Sequence, residues 1–416
     1  MANNTINTIK NNAGVIAKLA AGAFVDNLQF CKSIGKADAS DYNGKNGYSA
    51  GDTVYISKPV RPEVGTSFDI TSTIGSLLEE KVAMPLDIIA VTSFDLDSQE
   101  LASTTNIQGI YDRFVKPYAT GMAQEIEKTY LERAVINTPN FVGTPGSTVF
   151  NTTTMLSAGV KLDEFLAPMD GERYALLSPS AQASALDSRK SFVQASDELA
   201  KQYKRGLMGT ADGFTYMSNN LVPRITNGVD VSGFAVEASV VAISNGMATL
   251  GIDGVTSGAT IPAGTVFTIA GVNAVHPQTK VDLGYPQQFT VTAAVTETAG
   301  NSVTLAIYPA IYYTTTDSRQ NVSAAPVDEA LITVAVGSAS TTYTNSLVYH
   351  KDAYRMVSVP LVLPTSAEYA EQYTYKGMTI AIVRSWDILK RRMITRLDFL
   401  GGFAPVRPEW GVRITS

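Results

Sequence analysis

The sequence predicts an α+β protein whose parent domain is interrupted by an all-β insertion, and three observations lead there. Charge is uneven: of 32 bases and 38 acids, Thr226 to Tyr349 holds 2 bases, Lys280 and Arg319, and 8 acids, leaving the flanking residues balanced at 30 of each. That acidic stretch is a series of short alternating runs punctuated by turn residues. The flanks instead mix strand-like runs with one long apolar repeat of three to four residues, the mark of a helix.

From the beginning, Val15, Ile16, Leu19, Ala23, Phe24 and Leu28 repeat at helical spacing, and Lys18 interrupts the apolar run that a secretory signal needs, so an amphipathic helix is expected. Thr53 to Ser57 and Ser67 to Thr71 are strand-like and flank Lys58-Pro-Val-Arg-Pro-Glu-Val-Gly65, whose prolines suit a long exposed hairpin. Lys81 to Phe94 reads as a strand or two around Pro85. Ile107, Ile110, Tyr111, Phe114, Tyr118, Met122, Ile126 and Tyr130 then mark a long helix kinked at Pro117, with Glu125, Glu127, Lys128 and other charges on its remaining faces.

Within the acidic stretch, Asn245-Gly246 between Ser239–Ser244 and Met247–Ile252 predicts a type I′ hairpin. Thr265 to Ala270 is a further strand. Phe289, Val291, Ala293 and Val295 alternate with Thr290, Thr292, Ala294 and Thr296, and an Ala299-Gly300-Asn301 turn leads into Val303, Leu305 and Ile307. This spacing predicts a small antiparallel barrel or sandwich. After it, Met378 to Val383 and Met393 to Leu400 are strands, and Gly401-Gly402 reads as a turn before Arg407-Pro-Glu-Trp-Gly-Val-Arg-Ile414. Asp317-Ser-Arg319 reads as an exposed, protease-sensitive loop.

With 45% apolar and 17% charged residues in 416, the chain has material for a large core, which excludes disorder, collagen and coiled coil. Its one cysteine, Cys31, forms no intrachain disulfide and reads as a small buried hydrophobe; with only His276 and His350 beside it, no Cys/His zinc site is expected. No charge-free stretch predicts a membrane span. Gly47-Tyr-Ser49-Ala-Gly51 has the spacing of an esterase nucleophile elbow, but a polar segment precedes it and a strand follows, so a Gly-rich turn is the better reading. Gly35-Lys36 and Gly44-Lys45 lack the rest of a phosphate loop. The acid pairs Asp95/Asp97 and Asp197/Glu198 read as solvated faces. Lys390, Arg391 and Arg392, with Arg396, suit ion pairs between subunits or at a helix end better than nucleic-acid contacts.

The order of these parts resembles the major capsid, or coat, protein of short-tailed double-stranded DNA phages, with the Hong Kong 97 capsid fold and an inserted β-barrel. Arg396-Leu-Asp-Phe-Leu-Gly-Gly-Phe-Ala-Pro-Val-Arg407-Pro-Glu409-Trp-Gly-Val-Arg-Ile414 is similar to the family's closing strands with their Arg-Pro-Glu signature. Lys81-Val-Ala-Met-Pro-Leu-Asp87, continuing through Asp95-Leu-Asp-Ser-Gln-Glu-Leu101, resembles the strand leading into its spine helix. Gly264 to Val272 and Phe289 to Val295 resemble its barrel strands. The tight Ser244-Asn-Gly-Met247 departs from relatives with a long bridging loop there, so no such bridge is carried over.

The resemblance implies an N-terminal arm (1–38), an extended loop (39–76), a peripheral domain with spine helix (77–139), an axial domain with returning peripheral strands (140–225 and 350–416) and the inserted barrel (226–349). It implies a virion structural protein that forms pentamers and hexamers of an icosahedral shell, assembled in the host cytoplasm. The partners implied are a scaffolding protein, a portal and packaged double-stranded DNA at the inner face, with no membrane, no cofactor and no catalysis. Lys58, Arg61, Glu63, Arg391, Arg392, Arg407 and Glu409 are the expected assembly contacts. The alternative is a β-rich tail-associated or secreted binding protein.

Overall fold

A computed structural model describes residues 22, 24, 28–37, 48–58, 68, 80–97, 115–143, 145, 150–188, 209–230, 232–298, 300–315, 317–335, 337–388 and 392–415. The chain forms two compact units: Met1–Ser57 with Lys81–Tyr130 and Tyr354–Ala404, and Lys58–Glu80 with Leu131–Ala353 and Pro405–Ser416.

The first unit is organised on the strand Arg392–Pro405. Met378–Asp387 pairs antiparallel on one side of it and Ile88–Asp97 on the other, from Arg392 opposite Asp97 to Gly401 opposite Ile88. Tyr369–Tyr375 extends the sheet beyond Met378–Asp387, while Tyr354–Ser358 carries the short parallel strand Gly35–Lys36. Ile88, Ala90 and Phe94 are buried while Ile89, Val91 and Asp95 are exposed, the period of two expected when one face of a sheet is covered.

Gly401 and Gly402, expected as a turn, lie inside Arg392–Pro405. They are glycines for space: a Cβ on Gly401 would lie 2.4 Å from the Tyr130 hydroxyl, which donates to the Gly402 carbonyl at 3.2 Å. The helix runs from Lys116 to Ile136, past the expected end at Tyr130. Pro117 stands in its first described turn, where a missing N–H costs little; the expected kink and residues 107–114 fall at or outside the limit of the described residues. Thr53–Lys58 pairs with Glu80–Pro85, and the expected partner at 67–71 lies outside the described residues except Phe68. Tyr48, Val54, Ile56, Met84, Leu86, Val357 and Leu400 form one apolar core of this unit.

The second unit holds a seven-stranded sheet and a closed barrel. The sheet order is Phe141–Val142, Gly411–Thr415, Thr342–His350, Arg173–Leu177, Phe214–Ser218 and Thr210–Ala211, with Arg224–Thr226 also on Thr342–His350. Helix Thr152–Glu164 starts where the Asn151 side chain accepts from the Thr154 backbone N–H at 2.9 Å, and it buries Met155, Ala158 and Leu162 in the same apolar cluster as Val348 and Val412.

The barrel closes in the order Phe234–Val236, Met247–Asp253, Val303–Ile311, Asp282–Val291, Val266–Val275 and Leu331–Val334. Leu250, Ile252, Phe267, Ile269, Phe289, Val291, Leu305 and Ile307 fill it. Phe234–Val236 and Leu331–Val334 are too short to show a period in the sequence, yet they close the ring by pairing with each other. Ser239–Ser244 forms no strand, which corrects the predicted hairpin. Gly246 alone of the pair has positive φ (+84), and the Asn245 side-chain Oδ1 instead accepts from the N–H groups of Tyr313 and Thr314. Residues 342–349, assigned by charge to the insertion, form most of a strand of the seven-stranded sheet. Thr342, Tyr343 and Thr344 face Thr226, Ile225 and Arg224, so the segments leading into and out of the barrel are paired.

Candidate assembly surfaces

In the first unit, the base of the N-terminal segment is fastened by one carboxylate. Glu127 lies at helical spacing between Ala123 and Tyr130, on the buried stripe rather than on the charged face expected of it, and is 1% exposed. Its Oε1 accepts from the N–H groups of Gln29 at 2.9 Å and Phe30 at 2.5 Å, and its Oε2 from that of Cys31 at 3.3 Å. Burial pushes the Glu127 carboxyl above its usual range against the pull of those donors. Cys31 is fully buried, and its thiol is pushed well up by burial first and by Glu127 second, which leaves it unreactive.

In the second unit, the barrel is joined to the seven-stranded sheet and helix Thr152–Glu164 by polar contacts. Arg413, 1% exposed on the closing strand, donates to the Gly264 carbonyl at 2.7 Å and to the Thr290 hydroxyl at 3.1 Å; Thr290 donates onward to the Ile136 carbonyl. Gly264 needs to be glycine: its φ is +85 and a Cβ would meet Ile225 at 2.7 Å. The Gln288 amide pairs with both backbone groups of Phe141, and the Tyr285 hydroxyl donates to Glu164 at 2.7 Å. Burial first, then Glu164, pushes the Tyr285 phenol up, and burial lowers the Lys161 amine that stands over its ring.

Three of the expected contact residues come together. Lys58, Arg407 and Glu409 line one cleft of about 230 Å³, with Glu80, Phe165, Tyr312 and Arg319 among its other walls. Lys58 pairs with Glu80 at 3.2 Å, and Arg407 stacks on Trp410, 4.7 Å from the ring centroid. Arg392 pairs with Asp95 at 2.6 Å in the first unit, a half-exposed bridge worth about 0–1 kcal/mol. Arg61, Glu63 and Arg391 lie outside the described residues, as do Lys390, Asp197 and Glu198. The loop Asp317–Arg319 is not the loose segment expected. Asp317 holds the Arg319 guanidinium at 3.0 Å through two atoms, that group stacks on Tyr312, and Lys280 donates to the Ser318 and Gln320 carbonyls.

Ser49 sits in a turn, its N–H bonded to the Asp52 carboxylate, just before Thr53–Lys58. His276 accepts two backbone N–H groups at Nδ1. The buried His350 accepts the Asp352 N–H at Nδ1, which places the proton on Nε2, facing Asp170 at 3.1 Å. The Glu172 backbone N–H, ahead of His350, holds the Asp170 carboxyl low.

In both units, buried polar side chains such as Glu127 and Arg413 fasten one backbone segment to another. The family model described as "P22 coat protein - gene protein 5" matches residues 3–416, and the chain belongs to that family. It is a major capsid protein of the tailed double-stranded DNA phages, a structural component of the virion capsid that associates with copies of itself. Among solved structures, that of Mycobacterium phage Che8 is similar at 12% identity and TM-score 0.47, over 93% of this chain and 90% of that one. The capsid of the cyanophage P-SCSP1u is similar at 10% identity and TM-score 0.40, over 88% and 84%. The CUS-3 coat protein I-domain matches at 33% identity and TM-score 0.17, over 27% of this chain and 92% of that one. No curated protein matches the chain.

Proposed function

We propose that copies of this chain assemble as pentamers and hexamers into a closed icosahedral shell around double-stranded phage DNA, guided in the host cytoplasm by a scaffolding protein and joined to a portal. The family match over residues 3–416 carries this reading. The barrel, held between the paired segments Arg224–Thr226 and Thr342–His350, is an insertion that projects outward from the shell. Lys58, Arg61 and Glu63 reach an adjacent copy, with Arg391, Arg392, Arg407 and Glu409 supporting contacts near their own elements. Deleting Lys58 to Gly65 should leave soluble subunits that sediment slowly and close no shells; normal particles from the deletion would refute that role. Ser49 belongs to a turn and carries no hydrolysis, so wild type and Ser49→Ala should show the same background with ester substrates, and serine-dependent turnover would contradict this.

A further inference from the structure

The strand Tyr369–Tyr375 ends the sheet of the first unit. It pairs along its whole length with Met378–Arg384, and no described strand lies on its other side. None of its residues is buried. Natural edge strands are ordinarily blunted by proline, lysine or a bulge. This one, Tyr-Ala-Glu-Gln-Tyr-Thr-Tyr, has no proline or lysine and an unbroken register.

The hairpin fixes which backbone groups face the open edge. Lys376 and Gly377 have φ of +50 and +75, as a two-residue type I′ turn requires, and Tyr375 faces Met378 across it. The pair that closes such a turn exchanges both of its hydrogen bonds. By alternation, Ala370, Gln372 and Thr374 point their N–H and C=O groups outward.

We propose that this edge pairs with the same strand of a second copy, antiparallel, across a two-fold axis centred on Gln372. In that register Ala370 meets Thr374 of the second copy and Gln372 meets its equivalent, so all the outward groups pair, in about six hydrogen bonds. Tyr369 faces Tyr375 at both ends. One step further out, exposed Glu368 faces exposed Lys376, giving two reciprocal ion pairs. Lys36 donates to the Lys376 carbonyl and brings a second cation to the same end. Burial holds the Lys36 amine below its usual range. Sliding the register one way sets Glu371 against its own equivalent, and sliding it the other way parts Glu368 from Lys376.

The proposal rests on the chain's self-association as a shell subunit and is tested in the full chain with a single new thiol, since native Cys31 is buried. Gln372→Cys places two thiols on directly opposed residues with Cα atoms about 5.5 Å apart, within disulfide reach. Thr374→Cys places them about 14 Å apart. Mild oxidation of assembled particles should give a covalent dimer from Gln372→Cys and none from Thr374→Cys. Glu368→Lys should reduce the dimer yield at least several-fold, and adding Lys376→Glu should restore it. Closed shells in which Gln372→Cys gives no dimer, or in which both thiols link equally, would overturn the edge pairing and leave the shell reading standing. A Gln372→Cys dimer from a chain that never closes shells would support the pairing and overturn the shell reading. Failure of both dimer and shell counts against both.

Discussion

Glu127 shows how one residue can hold a segment far from it in sequence. Removing its carboxylate leaves three backbone N–H groups without that acceptor, so Glu127→Ala should lower the urea midpoint of the unassembled subunit by the equivalent of about 2–4 kcal/mol. The pH dependence has a definite sign. Because burial raises the folded carboxyl above its unfolded value near ~4.3, its stabilising contribution is complete below that value and is lost as pH rises through the folded one. Wild type should therefore lose stability relative to Glu127→Gln as pH rises above the unfolded carboxyl's value of ~4.3; parallel curves would contradict this. Read by sequence, Glu127 groups with the other charges, although it falls four residues after Ala123 and three before Tyr130, both buried in the fold. Its chemical type argued for solvent, and only the fold brings Gln29 to Cys31 against it. Arg413 was hidden in the same way: the resemblance to the family's closing strands marked its strand, but nothing local announces that its guanidinium reaches Gly264.

At the scale of elements, alternation of burial holds where one face is covered, as in Ile88–Asp97 and Val303–Ile311, but not in Met378–Asp387, whose first five residues are all buried. It failed where tertiary packing overrides local chemistry. Gly401-Gly402 has the composition of a turn, yet it continues a strand because Tyr130 occupies the space a side chain would need. Gly401→Ala should cost about 1–3 kcal/mol, and Tyr130→Phe should recover part of that loss in a double-mutant cycle measured by chemical denaturation; strict additivity would show that the two do not touch. The barrel gives a second test. A fragment from Thr226 to Thr341 keeps all six strands and their core and should melt cooperatively. Extending it to Tyr349 adds Leu347, Val348 and Tyr349, which are buried within the seven-stranded sheet, and should make the fragment aggregate. If the longer fragment were the better behaved, the charge-based boundary at Tyr349 would be the right one.

For the whole molecule, composition carried more than any motif. The charge-poor stretch runs from Thr226 to Tyr349, whereas the barrel strands run from Phe234–Val236 to Leu331–Val334 and Thr342–His350 pairs in the seven-stranded sheet, a strand with no Asp, Glu, Lys or Arg by which composition could set it apart. The same charge bears on orientation. Packaged duplex presents about one negative charge per 1.7 Å of axis, and a barrel region with 8 acids and 2 bases on the inner face would meet repulsion at every copy, screened only over a Debye length of about 8 Å. The clamped Asp317–Arg319 loop makes first proteolytic cuts there a poor reporter of exposure, so orientation is best read from density. The most direct measurement is electron microscopy of purified, DNA-filled particles with three-dimensional reconstruction. Closed icosahedral shells with the barrel density on the outside are expected; a protein that forms no shells, or a barrel lying against the DNA, would contradict the reading.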